Sequence, residues 1–203
     1  MSASERAYLH VKSGVLDGSI PGGELISENE IAERLGMSRT PVRAAFGQLE
    51  AEGLLRLYPK RGALVVPVSA QETEAVIEAR WVIERYAIER VIERPEDVPE
   101  KLHAAIDTQA NLEDNTAFVE ADRAFHRTLV AGTGNPILLT LYDSLRDRQR
   151  RMSHATARLP ERRRRSLDEH RQLADAIADG DGARAYSVLR THLDGALEAI
   201  RGR

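Results

Sequence analysis

The 203-residue chain has no cysteine, which excludes a disulfide framework, a thiolate metal site and a thiol nucleophile. Any metal must then be held by His, Asp or Glu. Aromatic residues are scarce. Long apolar runs are missing as well, since no stretch approaches the ~18 residues that span a bilayer. Met1 to Tyr8 carries charge and no apolar signal core, so the expectation is a cytoplasmic protein, neither exported nor membrane-embedded. An excess of positive charge is also lacking. The net charge is −3, and the stretch up to Pro67 has eight basic residues (Arg6, Lys12, Arg34, Arg39, Arg43, Arg56, Lys60, Arg61) against eight acidic ones. Bulk electrostatics therefore gives no case for nucleic-acid binding, which has to rest on where the charges sit.

Charged residues at 30% and apolar ones at 42% fit a globular, helix-rich chain, and the length suits two domains. The natural boundary lies at 68/69. Before it, Arg6 to Leu16 spaces apolar residues at helical intervals until Asp17 to Gly23 stops the helix. Ser27 and Glu30 form a capping-box pattern ahead of Ile31, Ala32 and Leu35, and Gly36 ends that short helix. Ser38 is the next N-cap position, for a helix over about Arg39 to Glu52. Two short helices joined by a Gly-containing turn are a helix-turn-helix. Leu54 to Tyr58 and Ala63 to Pro67, joined by Pro59-Lys60-Arg61-Gly62, then read as a β-hairpin wing with cations at its tip. Gly62 is expected to let the backbone approach another molecule. Ser38, Arg39, Thr40 and Arg43 fall in the first turns of the third helix, where side chains reach base edges; Arg suits guanine.

Residues 69–203 read as an all-α bundle of about six helices, near 71–93, 100–113, 116–131, 136–157, 161–179 and 182–201. Helical arithmetic at ~100° per residue puts Asp122 and His126 in one apolar stripe with Phe118, Phe125 and Leu129. It puts His170 among Leu167, Leu173, Ala174 and Ile177, and His192 among Ala185, Val188, Leu189, Ala196 and Ala199. One histidine on an apolar face is ordinarily a core residue with one hydrogen bond. Three on three helices together with an inward carboxylate point to a shared divalent ion, Zn²⁺, Ni²⁺ or similar, because an unpaired buried carboxylate is costly. The basic run Arg146, Arg148, Arg150, Arg151, Arg158 and Arg162 to Arg165 reads as a solvated face with no assigned function.

The run from Gly36 to Arg43, with Leu49 to Leu54 and Arg61-Gly62-Ala63, resembles the GntR family of winged-helix repressors. The resemblance implies a homodimer on a palindromic operator, with the third helix in the major groove and Arg61 and Gly62 on the wing near the minor groove. Ala44-Ala45-Phe46 and Asn29 depart from the family pattern. Asp122-x-x-x-His126, Glu169-His170 and His192-Leu193 resemble the FadR-type sensor domain called FCD. That implies Asp122, His126, His170 and His192 as metal ligands with open positions for a small carboxylate effector. Six helices place it nearest the VanR-like branch. Arg80 matches an anion-pairing Arg of that domain, and a salt bridge to Glu84 is the competing reading. A metal-dependent hydrolase is the alternative function, since a His₃Asp site can activate water. Against it, no His-Glu-x-x-His motif is present.

Overall fold

The computed structural model describes residues 1–156 and 160–201, without the side chains of 146, 153–156 and 199–201. Arg158 and the side chains of Arg146 and Ala199 lie outside the described residues. The chain separates into two compact units, Met1–Val68 and Ser69–Arg203.

In the first unit, α1 (Ala3–Asp17) opens with a capping box in which Ser2 and Glu5 exchange side-chain bonds to backbone N–H groups. It stops at Gly18 in the left-handed conformation. Ala7, Val11 and Val15, spaced by four, form one buried face and pack against Val42, Ala45, Phe46 and Leu49 of α3 (Arg39–Ala51). Burial of Phe46 alone is worth about 1.5–3 kcal/mol. The family departure at Ala44-Ala45-Phe46 is therefore a packing matter for Ala45 and Phe46, while Ala44 is exposed. Between these helices lies α2 (Glu28–Leu35), whose Ser27/Glu30 box is formed as expected.

The wing has three strands where a two-stranded hairpin is predicted. β2 (Leu55–Tyr58) and β3 (Gly62–Val65) pair as expected, and β1 (Leu25–Ile26) adds to the other side of β3. Two residues are too short for a period-2 signal, so β1 is set by bonds such as Val65 N–H to Glu24 O at 2.8 Å. At the tip, Arg61 N–H donates to Tyr58 O, with Pro59 and then Lys60 at φ 64° as the central residues.

The second unit contains α4 (Ala70–Glu93), α5 (Val98–Ala110), α6 (Asn115–Ala131), α7 (Pro136–Asp143), α8 (Arg146–Thr156), α9 (Pro160–Ala178) and α10 (Gly182–Arg201). α10 packs on α4 and α9, and α5 packs on α6 and α9. Seven helices stand among the described residues in place of the expected six, because the segment predicted as one helix over 136–157 breaks at Ser144-Leu145. There the Ser144 hydroxyl donates to Leu141 O, and Leu145 N–H reaches only to Tyr142 O, three residues back. The helix count thus gives no ground for the VanR-like branch.

Candidate metal centre and nucleic-acid interface

The predicted stripe on α6 exists: Phe118, Phe125, His126 and Leu129 are buried, and Asp122 retains 19% side-chain exposure. His170 on α9 and His192 on α10 are buried on faces made by Leu173, Ala174 and Ile177 and by Ala185 and Leu189. The packing brings all four predicted donors together, with one ligand atom of each within 4.8 Å of the others. His126 Nε2 stands 3.2 Å from the Nε2 of both His170 and His192, and His170 Nε2 is 3.6 Å from Asp122 Oδ1.

Each ring is turned by an oxygen behind it. His192 Nδ1 bonds Glu169 Oε2 at 2.9 Å, and His170 Nδ1 bonds Gln109 Oε1 at 3.0 Å. His126 Nδ1 lies 2.8 Å from Glu84 Oε2, off the ideal hydrogen-bond direction. Ionised carboxylates only accept, and Gln109 directs its amide nitrogen to Phe118 O and Asp122 Oδ1, so its oxygen accepts too. Protons on the three Nδ1 atoms leave the three Nε2 lone pairs facing one another. Burial pushes His170 well below the usual histidine range and His192 down to about 4, which favours the neutral form of those two rings at pH 7. Phe125 stacks on His170 with centroids 4.1 Å apart and fixes its plane.

Inward lone pairs without an interposed proton repel, and a cation removes the conflict. With bonds of about 2.1 Å, neighbouring ligands stand roughly 3.0 Å apart at a right angle and 3.4 Å apart at a tetrahedral one. The 3.2 Å nitrogen spacings fall between these values. The donor set fits a divalent ion, and the oxygens behind the rings are the partners that metal-bound histidines ordinarily have.

Arg80 is buried, and its Nε donates to Glu84 Oε1 at 2.7 Å, so the salt bridge is formed. Tyr142 O–H donates to the same oxygen at 2.8 Å. Burial raises the Glu84 carboxyl, but Arg80 and His126 outweigh that and hold it below the usual carboxylate range. Glu169 behaves alike: burial raises it, and His192 with Arg162 brings it to about 2.

Part of the basic run is not a solvated face: Arg162 bonds Glu169, Arg150 lies 2.8 Å from Glu120, and Arg163 lies over the Phe118 ring while bonding Leu112 O and Glu113 O. Arg148, Arg164 and Arg165 are exposed, as expected, although Arg165 also bonds Glu169. Glu84, Gln109 and Glu169 are the site residues that sequence reasoning missed. The same helical arithmetic finds Gln109 in line with Leu102 and Ile106, a polar residue on a buried stripe.

In the first unit, Ser38, Arg39, Thr40 and Arg43 are exposed at the start of α3, and Arg61 is exposed at the wing tip. Ser38 occupies the N-cap position, yet its hydroxyl makes no cap bond. Both arginines bond Glu28 in the first turn of α2. Gly62 has a requirement inside the chain: at φ 108°, a Cβ there meets Ile26 O at 2.3 Å. The close backbone approach expected of this glycine is made to β1.

Residues 75–195 match the FCD domain, and residues 3–65 match the bacterial regulatory proteins of the gntR family. An HTH-type transcriptional regulator in an unstable DNA locus of Streptomyces ambofaciens is 30% identical over 207 residues, spanning 95% of this chain and 83% of that protein. The galactonate operon transcriptional repressor of Escherichia coli K12 is 25% identical over 99% of this chain and 98% of its own length. A crystal structure of a GntR regulator from Rhodococcus sp. RHA1, 24% identical, shares the fold with a TM-score of 0.77 over 100% of this chain and 99% of that one. No helix among the described residues is long and apolar enough to cross a membrane. Fold, domain pair and relatives agree: the chain belongs to the gntR family of bacterial regulatory proteins, carries an FCD domain, and is a transcription regulator, not an enzyme.

Proposed function

We propose that the protein is a cytoplasmic, ligand-responsive repressor that binds a palindromic operator as a dimer and senses a small carboxylate at a divalent metal site. One observation carries the sensing half: three buried imidazoles have their outer nitrogens turned to Glu84, Gln109 and Glu169, so their inner lone pairs converge beside Asp122. Asp122, His126, His170 and His192 would hold the ion, and the donor set suits Zn²⁺ or Ni²⁺. Such an ion supplies positive charge and a coordination position for a carboxylate oxygen.

The chain's own groups do the rest. Glu84, Gln109 and Glu169 orient the rings, and the partial exposure of Asp122 marks the side open to a small anion. Arg80 spends Nε on Glu84, while its Nη groups hydrogen-bond no described residue, which suits them to an anionic effector. Glu84 stands between Arg80 and His126, so effector and ion would act on the same carboxylate. Galactonate, in the name of the Escherichia coli relative, is a sugar acid; a carboxylate effector and repression both accord with that name.

Ser38, Arg39, Thr40 and Arg43 read the major groove, and Arg61 and Gly62 bring the wing to the backbone or minor groove. For the dimer, α4 and α7 are neighbours that leave Val82, Tyr86, Ile137 and Leu141 exposed, two i,i+4 apolar pairs that a second copy can cover. The test is fluorescence anisotropy on operator fragments recovered by selection from genomic DNA. Sugar acids and dicarboxylates are titrated against metal-loaded and chelator-treated protein. The reading expects a carboxylate to change DNA affinity only in the metal-loaded form; an effector response untouched by chelation contradicts it.

A further inference from the structure

The two arginines expected to read bases are not independent side chains. Glu28 lies in the first turn of α2, where the positive end of the helix dipole favours a carboxylate. Its Oε1 accepts from Arg43 Nε at 2.9 Å, and its Oε2 accepts from Arg43 Nη2 at 2.9 Å and Arg39 Nη2 at 3.0 Å. The side chains of Arg39 and Arg43 are 58% and 66% exposed, against 20% for Glu28. The carboxylate is thus the inner anchor and the guanidinium groups are the outer parts.

The edge of Arg43 that is used decides the consequence. A guanidinium has two bidentate edges, one formed by Nε and Nη2 and one by Nη1 and Nη2. Glu28 takes the first, which leaves the terminal fork, the pair of donors that matches O6 and N7 of guanine. Arg39 and Arg43 are four apart on one helix, so one carboxylate holds both at once. Glu28 also cancels one of their two positive charges, and that lowers attraction to phosphate of any sequence.

Resting on the DNA-reading role proposed above, we propose that Glu28 is a positioning residue that sets base preference by aiming Arg43 and Arg39 at guanine while restraining sequence-independent binding. It touches no DNA itself in this role. Its signature is a change in selectivity, since a carboxylate that merely joined α2 to α3 would alter stability and affinity for all sequences together.

The experiment uses full-length wild type, Glu28→Gln and Glu28→Asp, each selected against a random-sequence duplex pool and then measured on the wild-type consensus and a scrambled duplex over a salt series. Glu28→Gln removes the charge and one of the two accepting oxygens, so the bidentate hold on Arg43 is lost. It should lose preference at guanine positions, lower the consensus-to-scrambled affinity ratio about tenfold, and bind scrambled DNA as tightly as wild type or tighter. Glu28→Asp keeps the charge but withdraws it by one methylene. It should restore wild-type affinity for scrambled DNA without restoring the guanine preference. An unchanged motif and ratio in Glu28→Gln overturns the inference, as does a uniform loss on both duplexes. Wild type that enriches no motif overturns the DNA-reading role instead, and with it the role of Glu28.

Discussion

Glu84 Oε2 lies 2.8 Å from Nδ1 of His126, and neither side chain meets solvent. The same carboxylate takes a bond from Arg80 and another from Tyr142 on its other oxygen. One acidic group on α4 therefore holds together a buried cation, a tyrosine from α7 and a histidine from α6.

Glu84→Ala is expected to cost about 3–5 kcal/mol of stability, because it strands the buried Arg80 charge. Urea denaturation of the chelator-treated protein measures it, free of any metal contribution. The double variant Arg80→Met/Glu84→Leu, which removes both charges, should recover most of the loss. A single variant within 1 kcal/mol of wild type contradicts the account of this pair.

Gln109→Leu removes the oxygen behind His170 and the amide that donates to Asp122 Oδ1, while leaving all four proposed ligands in place. Zinc affinity, measured by competition with a chromophoric chelator, should fall roughly 10- to 100-fold. An unchanged affinity would mean that Gln109 orients neither His170 nor Asp122 for an ion.

Helical periodicity was enough to find Asp122, His126, His170 and His192, because each projects from a stripe of residues that bury together. It could not find Glu84 or Glu169 as partners of His126 and His192, since which helix faces which is decided by tertiary packing. The split at Ser144 depends on a hydroxyl taking a carbonyl from the helix, a choice without a periodic signature. The same limit hid Glu28: its spacing to Arg39 and Arg43, 11 and 15 residues, acquires meaning only once the turn between α2 and α3 is folded.

Gly62 illustrates a residue whose type was legible and whose reason was not. Gly62→Ala places a methyl against Ile26 O at a φ that L residues rarely adopt, so the first unit should lose about 2 kcal/mol or more. Thermal unfolding followed by the exchange of Val65 and Gly23 amides, which join the end of β3 to the residues just before β1, reads the effect locally. Exchange unchanged from wild type contradicts the steric argument.

The Glu28 carboxyl is lowered to about 2, chiefly by its bonds to Arg43, and then by Arg39. A depressed folded-state value means that the pair stabilises the fold above the ordinary glutamate range near 4.5 and that this contribution fades as pH falls toward 2. The carboxyl carbon resonance of Glu28 should titrate near 2, moving up toward 4.5 in Arg43→Ala. A wild-type midpoint near 4.5 would show that the clamp is not held in solution.

Arg39→Ala and Arg43→Ala should each weaken consensus binding by about 1–3 kcal/mol while leaving the circular dichroism spectrum intact. Either variant binding the consensus as tightly as wild type removes that residue from the reading set.

The most direct test of the metal centre is elemental analysis of untagged protein purified without chelator, followed by thermal melting before and after removal and return of the ion. One divalent ion per chain is expected, with a melting temperature that falls on removal and recovers with Zn²⁺ or Ni²⁺, because one ion would tie together four donors that stand on three helices. No stoichiometric metal, together with no rise in melting temperature on adding Zn²⁺, Ni²⁺ or Mn²⁺, would contradict it.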